Sequence, residues 1–261
     1  IVDRFKERTM FPIQSYSGRT LGFGGRAFNP NAKAKYLNSP ETLIYHKSKV
    51  LYGLNYAKHA IGKEELCYIV EGYTDVISMH QNGIENVVSA SGTALTLEQI
   101  KLINRLAQNV VLLFDGDNAG IKATYKSINM ILKEGMNVKI AAFPEGEDPD
   151  SFSKKLATDE FRQFLTTEAI DFIDYKINIS KLNTISDPTK ITTIKRDIIA
   201  SISCIPDSLN RSQYCKTYSK KLDIAEKVLL NEVAQARASI SSFEPSTLRI
   251  NPGTEPKKKE K

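Results

Sequence analysis

Acidic residues are concentrated in three short segments, each placed after a run of apolar residues. The segments read EGYTD at residues 71–75, DGDNAG at residues 115–120 and EGEDPD at residues 145–150. If the apolar runs are neighbouring parallel strands, the carboxylates converge at one edge of the sheet, where α/β proteins build ligand sites. Crowded carboxylates repel one another, and hard divalent cations relieve that repulsion because Mg²⁺ prefers oxygen ligands. The spacing therefore predicts a metal site that handles phosphate groups.

Any one of these segments has an ordinary explanation, since Asp-Gly and Asp-Pro pairs often only shape turns. Three segments in succession at predicted strand ends favour metal binding more strongly. The glycines Gly72, Gly116 and Gly146 support this interpretation, because residues without a side chain let a ligand approach the backbone closely.

The elements that must position these segments follow from the apolar pattern. Strands are predicted over residues 66–70, 86–89, 109–114 and 138–143, and helices over residues 74–81, 97–107 and 119–134. Thr74 is the predicted cap of the first helix and Gly135 of the last. Strands that alternate with helices of this length predict βαβ units and a mostly parallel sheet.

The flanking regions have different patterns. Residues 10–28 predict a β-hairpin with its turn at Ser17 and Gly18, residues 29–42 a loop, and residues 47–60 a helix. The glycine-rich residues 22–26 predict a strand approached closely by another backbone or by a ligand. Helices are predicted over residues 160–165, 170–177, 191–202 and 212–236. Residues 241–261 are rich in Ser, Pro and Lys, which predicts disorder.

Composition excludes several classes of protein. A hydrophobic fraction of 41% and a charged fraction of 25% are ordinary for a globular protein. No run of about 18 apolar residues occurs, which argues against a membrane span. Cys67, Cys204 and Cys215 have no paired spacing, which argues against a disulfide framework or a cysteine-rich metal site and favours a cytoplasmic location.

The net charge of +6 is unevenly distributed. Residues 1–63 contain 11 basic and 3 acidic residues, whereas residues 64–256 contain 21 basic and 26 acidic residues. A basic front joined to an acidic middle suggests a polyanion held on one side and divalent metal on the other. The charge distribution, taken alone, is explained equally well by a basic face that only contacts solvent.

Longer strings around the acidic segments extend the pattern. Residues 3–13 read DRFKERTMFPI, residues 22–26 read GFGGR and residues 35–42 read KYLNSPET. These strings resemble the catalytic core of bacterial DNA primases, and EDPD at residues 147–150 is similar to the third acidic motif of that family. The first two acidic segments resemble the Toprim domain, which primases share with topoisomerases and some nucleases. The resemblance covers roughly residues 3–155.

The resemblance implies template-directed synthesis of short RNA primers on single-stranded DNA, by metal-dependent nucleotidyl transfer during DNA replication. The implied cofactors are Mg²⁺ or Mn²⁺, as two ions, and the sequence has no Cys/His zinc pattern. The central catalytic and metal-binding carboxylates would be Glu71, Asp115 and Asp117. The acidic site would be completed by Asp75, Asp148 and Asp150.

A basic side facing the nucleotide phosphates and the template is implied as well, formed by Arg26, Lys35 and Lys47. Tyr36 and Asn38 would contact a base or sugar, or else have a structural role in their loop. Arg4 and Arg8 would contact the DNA backbone, or else form a solvated face. The implied partners are single-stranded DNA, ribonucleoside triphosphates, the RNA–DNA hybrid product and the replicative helicase, the last through a region absent from this sequence. No membrane partner is implied, and the expected location is the cytoplasm, at the nucleoid and the replication fork.

The expected fold is α/β, with a Toprim-type, mostly parallel sheet and flanking helices. A basic β-hairpin and loop part is expected at residues 1–63, the Toprim domain at 64–155, a helical subdomain at 156–240 and a disordered tail at 241–261. Bacterial primases usually carry an amino-terminal zinc-binding domain and a carboxyl-terminal helicase-binding domain. Neither is represented here, so the chain looks like a fragment.

Other functions fit parts of the sequence. An apolar strand followed by Asp115-Gly116-Asp117 superficially fits a haloacid-dehalogenase-type phosphatase, but a third acidic segment stands where that class needs Thr or Ser and Lys. A Toprim nuclease or topoisomerase would leave the upstream strings unexplained. A non-catalytic DNA-binding module would gain nothing from concentrated negative charge.

Overall fold

The structure, a computed structural model, describes residues 3–243 except residues 93, 115–117 and 145. Two sheets account for the described strands, one of three strands near the amino terminus and one of five. No helix in the described part of the chain is long and apolar enough to cross a membrane. Of the predicted tail, residues 241–243 continue the last helix, and residues 244–261 lie outside the described residues.

The amino-terminal sheet contains the predicted hairpin. Strands β1 (Arg8–Gln14) and β2 (Thr20–Ala27) are antiparallel, which confirms the hairpin. A third strand, β3 (Tyr36–Asn38), pairs with β2 inside the region predicted as loop. That prediction was wrong because three residues between turn-forming asparagines and prolines show no period, and the strand forms only by pairing with Gly24, Gly25 and Arg26.

The glycines of β2 are needed for close packing of side chains. A Cβ atom at Gly24 would lie 2.5 Å from Cζ of Tyr73, and one at Gly25 would lie 2.8 Å from the Phe5 ring. The predicted close approach is therefore present, and at Gly24 and Gly25 the nearest atoms are those of side chains.

The larger sheet has the order β5-β4-β6-β7-β8. Its strands are β4 (Leu66–Val70), β5 (Val87–Ser89), β6 (Asn109–Leu112), β7 (Asn137–Ile140) and β8 (Ile170–Asp171). The first four are parallel to their neighbours, as predicted, and β8 is antiparallel to β7. Strand β8 was predicted as the start of a helix, because two residues are too few to show a strand pattern.

The described helices lie around the sheet and after it. They are α1 (Leu54–Glu64), α2 (Tyr73–Gln81), α3 (Leu97–Asn104), α4 (Asn118–Lys133), α5 (Pro149–Ser153), α6 (Thr158–Glu168), α7 (Phe172–Ser180), α8 (Pro188–Ser203), α9 (Ser208–Tyr218) and α10 (Glu226–Phe243). Short 3-10 turns cover Lys47–Lys49 and Leu182–Thr184. The alternation of strands and helices confirms the predicted α/β class.

Three helix boundaries differ from their predictions for local reasons. Helix α2 begins one residue early, so its cap is Gly72 rather than Thr74. The predicted helix over residues 47–60 is interrupted at Gly53, whose φ of 84° is left-handed. The predicted helix over residues 212–236 is two helices, because the chain turns at Asp223, which has a φ of 49°. The predicted end of α4 at Gly135 is confirmed, with a φ of 78° and a hydrogen bond to the carbonyl of Leu132.

The helices after residue 155 share a core with the sheet. Phe172 of α7 and Ile198 of α8 are fully buried in the same apolar cluster as Leu112 and Ile140 of the sheet. Because these side chains lose their water contact only when both parts are packed together, the carboxyl-terminal helices and the sheet stabilise each other.

A buried lysine joins three of these helices. Lys176 of α7 is 1% exposed, and its Nζ donates to Asp197 Oδ2 at 2.6 Å and to Ser201 Oγ at 2.7 Å, both on α8. The ammonium also lies 4.5 Å from the ring centre of Tyr125 on α4, and Ser201 donates to Asn129 on the same helix. This network fixes α4, which begins at Asn118, within the second acidic segment.

Replacement of Gly24 by Ala should destabilise the protein by about 1–3 kcal/mol, because the new Cβ must displace the Tyr73 ring in a packed interior. Gly62→Ala is the matched control, since a Cβ there meets nothing closer than 4.0 Å on helix α1. The control should be neutral or stabilising by about 0.5–1 kcal/mol. Urea unfolding measures the free energy of unfolding of both variants, and equal stability of the two would contradict the packing argument.

Substitutions at the two ends of the Lys176–Asp197 pair should have unequal costs. Asp197→Ala leaves a buried ammonium without its carboxylate and should cost about 2–4 kcal/mol. Lys176→Met leaves Asp197, which is 45% exposed, in contact with water and should cost about 1–2 kcal/mol. Chemical denaturation measures the free energy of unfolding of both variants. A larger loss of stability in Lys176→Met would contradict the expectation that the buried ammonium depends more on its partner than the carboxylate does.

Candidate functional site

The carboxyl ends of three parallel strands are level at one edge of the sheet. Ile69 of β4 is in register with Leu112 of β6, and Leu112 with Ile140 of β7. The chain leaves these strands toward the first, second and third acidic segments, respectively. The predicted arrangement of strand ends is therefore confirmed, whereas Asp115 and Asp117 themselves lie outside the described residues.

The turn between β4 and α2 is held by two hydrogen bonds. The Gly72 amide donates to Asp75 Oδ2 at 2.8 Å, and the Ser89 hydroxyl donates to the carbonyl of Glu71 at 2.7 Å. Asp75 is only 8% exposed, whereas the side chain of Glu71 is exposed at the strand end. Asp75 therefore fixes the backbone of the turn that presents Glu71.

The third acidic segment leads into α5, and its acids have different roles there. Asp148 caps the helix, with Oδ1 accepting from the Ser151 amide at 2.7 Å. Glu147 accepts from the Ser151 hydroxyl at 2.7 Å and is paired with Lys155. Asp150 Oδ1 accepts from the Ser78 hydroxyl and from Lys154 Nζ, the latter at 2.6 Å. Because Ser78 lies on α2 one turn after Asp75, this contact brings the third segment against the first.

The surroundings lower the pKa of two carboxyl groups in this segment, those of Asp150 and Glu147. Partial burial alone would raise the pKa of Asp150, but hydrogen bonds from Lys154 and Ser78, with Lys154 and Arg26 nearby, hold that pKa below its usual value. Hydrogen bonds from Lys155 and Ser151 lower the pKa of Glu147. The amino-terminal sheet lies next to the first acidic turn, because the Tyr36 ring is 6.1 Å from that of Tyr73 and Asn38 accepts from the Tyr73 hydroxyl.

The donor set suits a hard divalent cation. Asp148 and Asp150 each have one oxygen, Oδ2, that accepts no hydrogen bond from the described residues, and both Glu147 oxygens are engaged. Carboxylate oxygens are the ligands that Mg²⁺ prefers. Among the described residues alone, no three His, Cys, Asp or Glu side chains form a metal-binding cluster. A complete site would require Asp115 and Asp117, so the metal-binding roles stay a prediction.

Two of the predicted basic-side residues, Arg26 and Lys35, lie on or beside the amino-terminal sheet, next to Tyr36. The Arg26 guanidinium lies 5.9 Å and the Lys35 ammonium 6.0 Å from the ring centre of Tyr36. Lys47 begins a 3-10 turn, where its carbonyl accepts from Gln99. Burial lowers the pKa of Lys47, and nearby Glu41 partly opposes that effect.

The remaining predicted nucleic-acid contacts have structural partners. The Arg8 guanidinium donates to three carbonyls, those of Gly25, Ala34 and Lys35, and Arg4 donates to the carbonyl of Asn38. The Asn38 side chain accepts from the Tyr73 hydroxyl at 2.7 Å and donates to the Ser91 carbonyl at 3.3 Å. These contacts favour the structural alternative for Asn38, and they give Arg4 and Arg8 backbone partners within the protein, which neither alternative for these two residues included.

Several residues that shape the site were missed in the sequence. Tyr73 is buried against the amino-terminal sheet, and Ser78, Lys154 and Lys155 contact the acidic residues. The spacing of Asp150 and Lys154, four residues apart at a short helix, was the available signal. Nothing in the spacing of Tyr73 or Ser78 indicates a partner distant in sequence.

Comparison with known proteins identifies both parts of this site. The family described as DNA primase catalytic core, N-terminal domain, matches residues 1–58, and the Toprim-like family matches residues 68–153. A DNA primase from Clostridium acetobutylicum is 41% identical over 236 residues, which are 90% of this chain and 39% of that protein. One from Halalkalibacterium halodurans is 35% identical over 232 residues, covering 88% of this chain and 38% of that protein. The chain thus spans about two fifths of the length of these relatives.

Solved structures agree with the sequence relatives. A DNA primase domain from Pseudomonas aeruginosa superposes with a TM-score of 0.78 at 33% identity, covering 90% of this chain and 73% of that one. A DnaG primase catalytic domain bound to single-stranded DNA has a TM-score of 0.76 at 33% identity, with 86% and 72% covered. The Toprim match implies that the site depends on metal. The chain belongs to the family of DnaG-type bacterial DNA primases and contains a Toprim domain of that family's catalytic core.

Proposed function

We propose that this chain is the part of a DNA primase that joins ribonucleotides into short RNA primers on single-stranded DNA. The observation that carries the proposal is the level alignment of three parallel strand ends, each followed by an acidic segment, beside the basic residues of the amino-terminal sheet. The single-stranded DNA bound by the related DnaG catalytic domain supports the choice of template.

The acidic edge would bind metal through the exposed side chain of Glu71 together with Asp115 and Asp117. Two Mg²⁺ or Mn²⁺ ions bound there would supply the positive charge that activates the 3′-hydroxyl and neutralises the leaving pyrophosphate. Asp75 holds the turn that presents Glu71, while Asp148 and Asp150 offer their Oδ2 atoms. Glu71 is also the candidate to accept the proton of the attacking hydroxyl, because it is exposed at the strand end.

The basic side would hold the polyanions. Arg26 and Lys35 project beside the exposed ring of Tyr36, and a ring flanked by cations suits a nucleic acid strand, whose bases stack on aromatic faces while its phosphates meet positive charge. The Tyr36 ring lies 6.1 Å from that of Tyr73, which follows Glu71 by two residues, so a strand bound there would run next to the acidic edge. Lys47 would extend this positive surface.

Template-dependent extension of a primer by ribonucleotides should fall at least about a hundredfold in the Asp115→Ala/Asp117→Ala variant, because charge stabilisation worth several kcal/mol is removed. The assay uses a primed single-stranded template with Mg²⁺ or Mn²⁺, and chelation by EDTA should abolish the signal. Glu85→Ala/Glu232→Ala removes two exposed acids elsewhere and should retain extension. Metal-dependent cleavage of nucleic acid without extension would instead support a Toprim nuclease.

The Arg26→Ala/Lys35→Ala variant should bind single-stranded DNA more weakly and with a smaller dependence on salt. Loss of two phosphate contacts lowers the slope of log affinity against log salt by about 1.4. Lys190→Ala/Lys227→Ala, exposed positions on the carboxyl-terminal helices, changes the net charge equally and should leave the slope unchanged. Fluorescence anisotropy at several salt concentrations measures it, and equal slopes for both variants would place the DNA elsewhere.

A further inference from the structure

Two adjacent lysines follow the third acidic segment and pair with different acids. Lys154 Nζ lies 2.6 Å from Asp150 Oδ1, and Lys155 pairs with Glu147. The two lysine side chains are similarly exposed, at 61% and 58%. Their acids differ, since Asp150 is a candidate metal ligand whose Oδ2 accepts no hydrogen bond from the described residues, whereas Glu147 has both oxygens engaged.

A divalent ion at Asp150 would share that carboxylate with the ammonium of Lys154. The two positive groups would then lie a few ångströms apart, and their repulsion would weaken the binding of a free ion. A metal ion that arrives with a nucleoside triphosphate carries net negative charge, so the same ammonium attracts the complex. Lys154 therefore lowers the affinity of the site for a free metal ion and raises its affinity for a metal–nucleotide complex.

Space for displacement of this lysine lies beside it. A cavity of about 320 Å³ is lined by Lys154 together with Ser78, Gln81 and Asn82. The Asn82 amide nitrogen donates to the carbonyls of Ser153 and Leu156, which fixes the orientation of the side chain. Its Oδ1 atom is buried and has no hydrogen-bond partner among the described residues. A buried acceptor of this kind favours a donor, and Lys154 is a residue with donor groups that lines the same cavity as Asn82.

We propose that Lys154 is a specificity-determining residue that makes the acidic site prefer metal–nucleoside triphosphate complexes over free divalent ions. Without nucleotide, the ammonium occupies Asp150 Oδ1 and keeps the third segment in place. When a metal–nucleotide complex binds, the flexible side chain leaves Asp150 for the triphosphate or for Asn82 Oδ1. The inference rests on the proposed function, because it requires Asp150 to belong to the metal site.

The test measures Mn²⁺ affinity by electron paramagnetic resonance, with and without a non-hydrolysable ribonucleoside triphosphate. Lys154→Gln should bind free Mn²⁺ roughly threefold to tenfold more tightly than the unmodified chain, because one nearby positive charge is removed. The gain in Mn²⁺ affinity on adding the triphosphate should shrink correspondingly. Lys154→Arg keeps the charge and should preserve the original gain.

Lys155→Gln is the matched control, because it removes the same charge from the neighbouring residue. It should change free Mn²⁺ affinity by less than about twofold, as expected for an exposed pair away from the ligand. Equal shifts in Lys154→Gln and Lys155→Gln, or no shift in either, would overturn the inference and leave the metal site intact. If neither the unmodified chain nor any variant bound Mn²⁺, even with the triphosphate present, the proposed metal site and this inference would both fail.

Discussion

The packing of Tyr73, the first residue of α2, against the amino-terminal sheet sets the position of the basic residues relative to the acidic ones. Its ring stacks on Phe11 at 5.0 Å and meets Tyr52 edge-on at 4.7 Å, and its hydroxyl donates to Asn38 at 2.7 Å. Burial raises the pKa of this phenol, which keeps it protonated and able to donate. Because Tyr73 follows Glu71 by two residues, the contacts that hold the amino-terminal sheet also hold the acidic turn. Gly24 makes this approach possible by having no side chain.

The acids at the strand ends share a residue type but not a role. Asp75 satisfies the Gly72 amide, Asp148 caps α5, and Glu147 is engaged through both oxygens. Asp150 joins α5 to α2 through Ser78 while its second oxygen accepts no hydrogen bond from the described residues. Hydrogen bonds of this kind fix the orientation of a carboxylate before any ligand arrives, which reduces the ordering needed on binding. Acidic residues that organise the backbone are thus as necessary to the proposed site as those that would contact metal.

The sequence predicts those strands and helices whose apolar residues form a regular pattern within the element itself. Residues 66–70 form the predicted strand with the same bounds, because a continuous apolar run is typical of a central parallel strand. The strands β3 and β8 are missed because two or three residues form a strand only through pairing with a partner. The break near Asp223 is missed because the residues on both sides favour helix.

The types and positions of the candidate site residues could be predicted from the sequence. The hydrogen-bond partner of each side-chain oxygen and nitrogen could not. Arg8 and Arg26 look equally suited to phosphate in the sequence, yet Arg8 donates to three carbonyls of its own sheet and Arg26 lies beside Tyr36. Such assignments depend on contacts between residues far apart in the chain, which local spacing does not contain. The same holds for Asn38, whose amide joins β3 to Tyr73 and Ser91.

The carboxyl-terminal helices matter to the site although none of their residues belongs to it. A loop between a strand and a helix is positioned only as well as the two elements at its ends. The acids of the second segment follow β6, which is central in the sheet, and precede α4. Helix α4 is held in place by the network of Lys176, Asp197 and Ser201. Strand β8 adds to the sheet on the far side of β7 and leads directly into α7, so the sheet and the helices form one support. A substitution in that buried network would therefore loosen one anchor of the acidic edge without touching a proposed ligand.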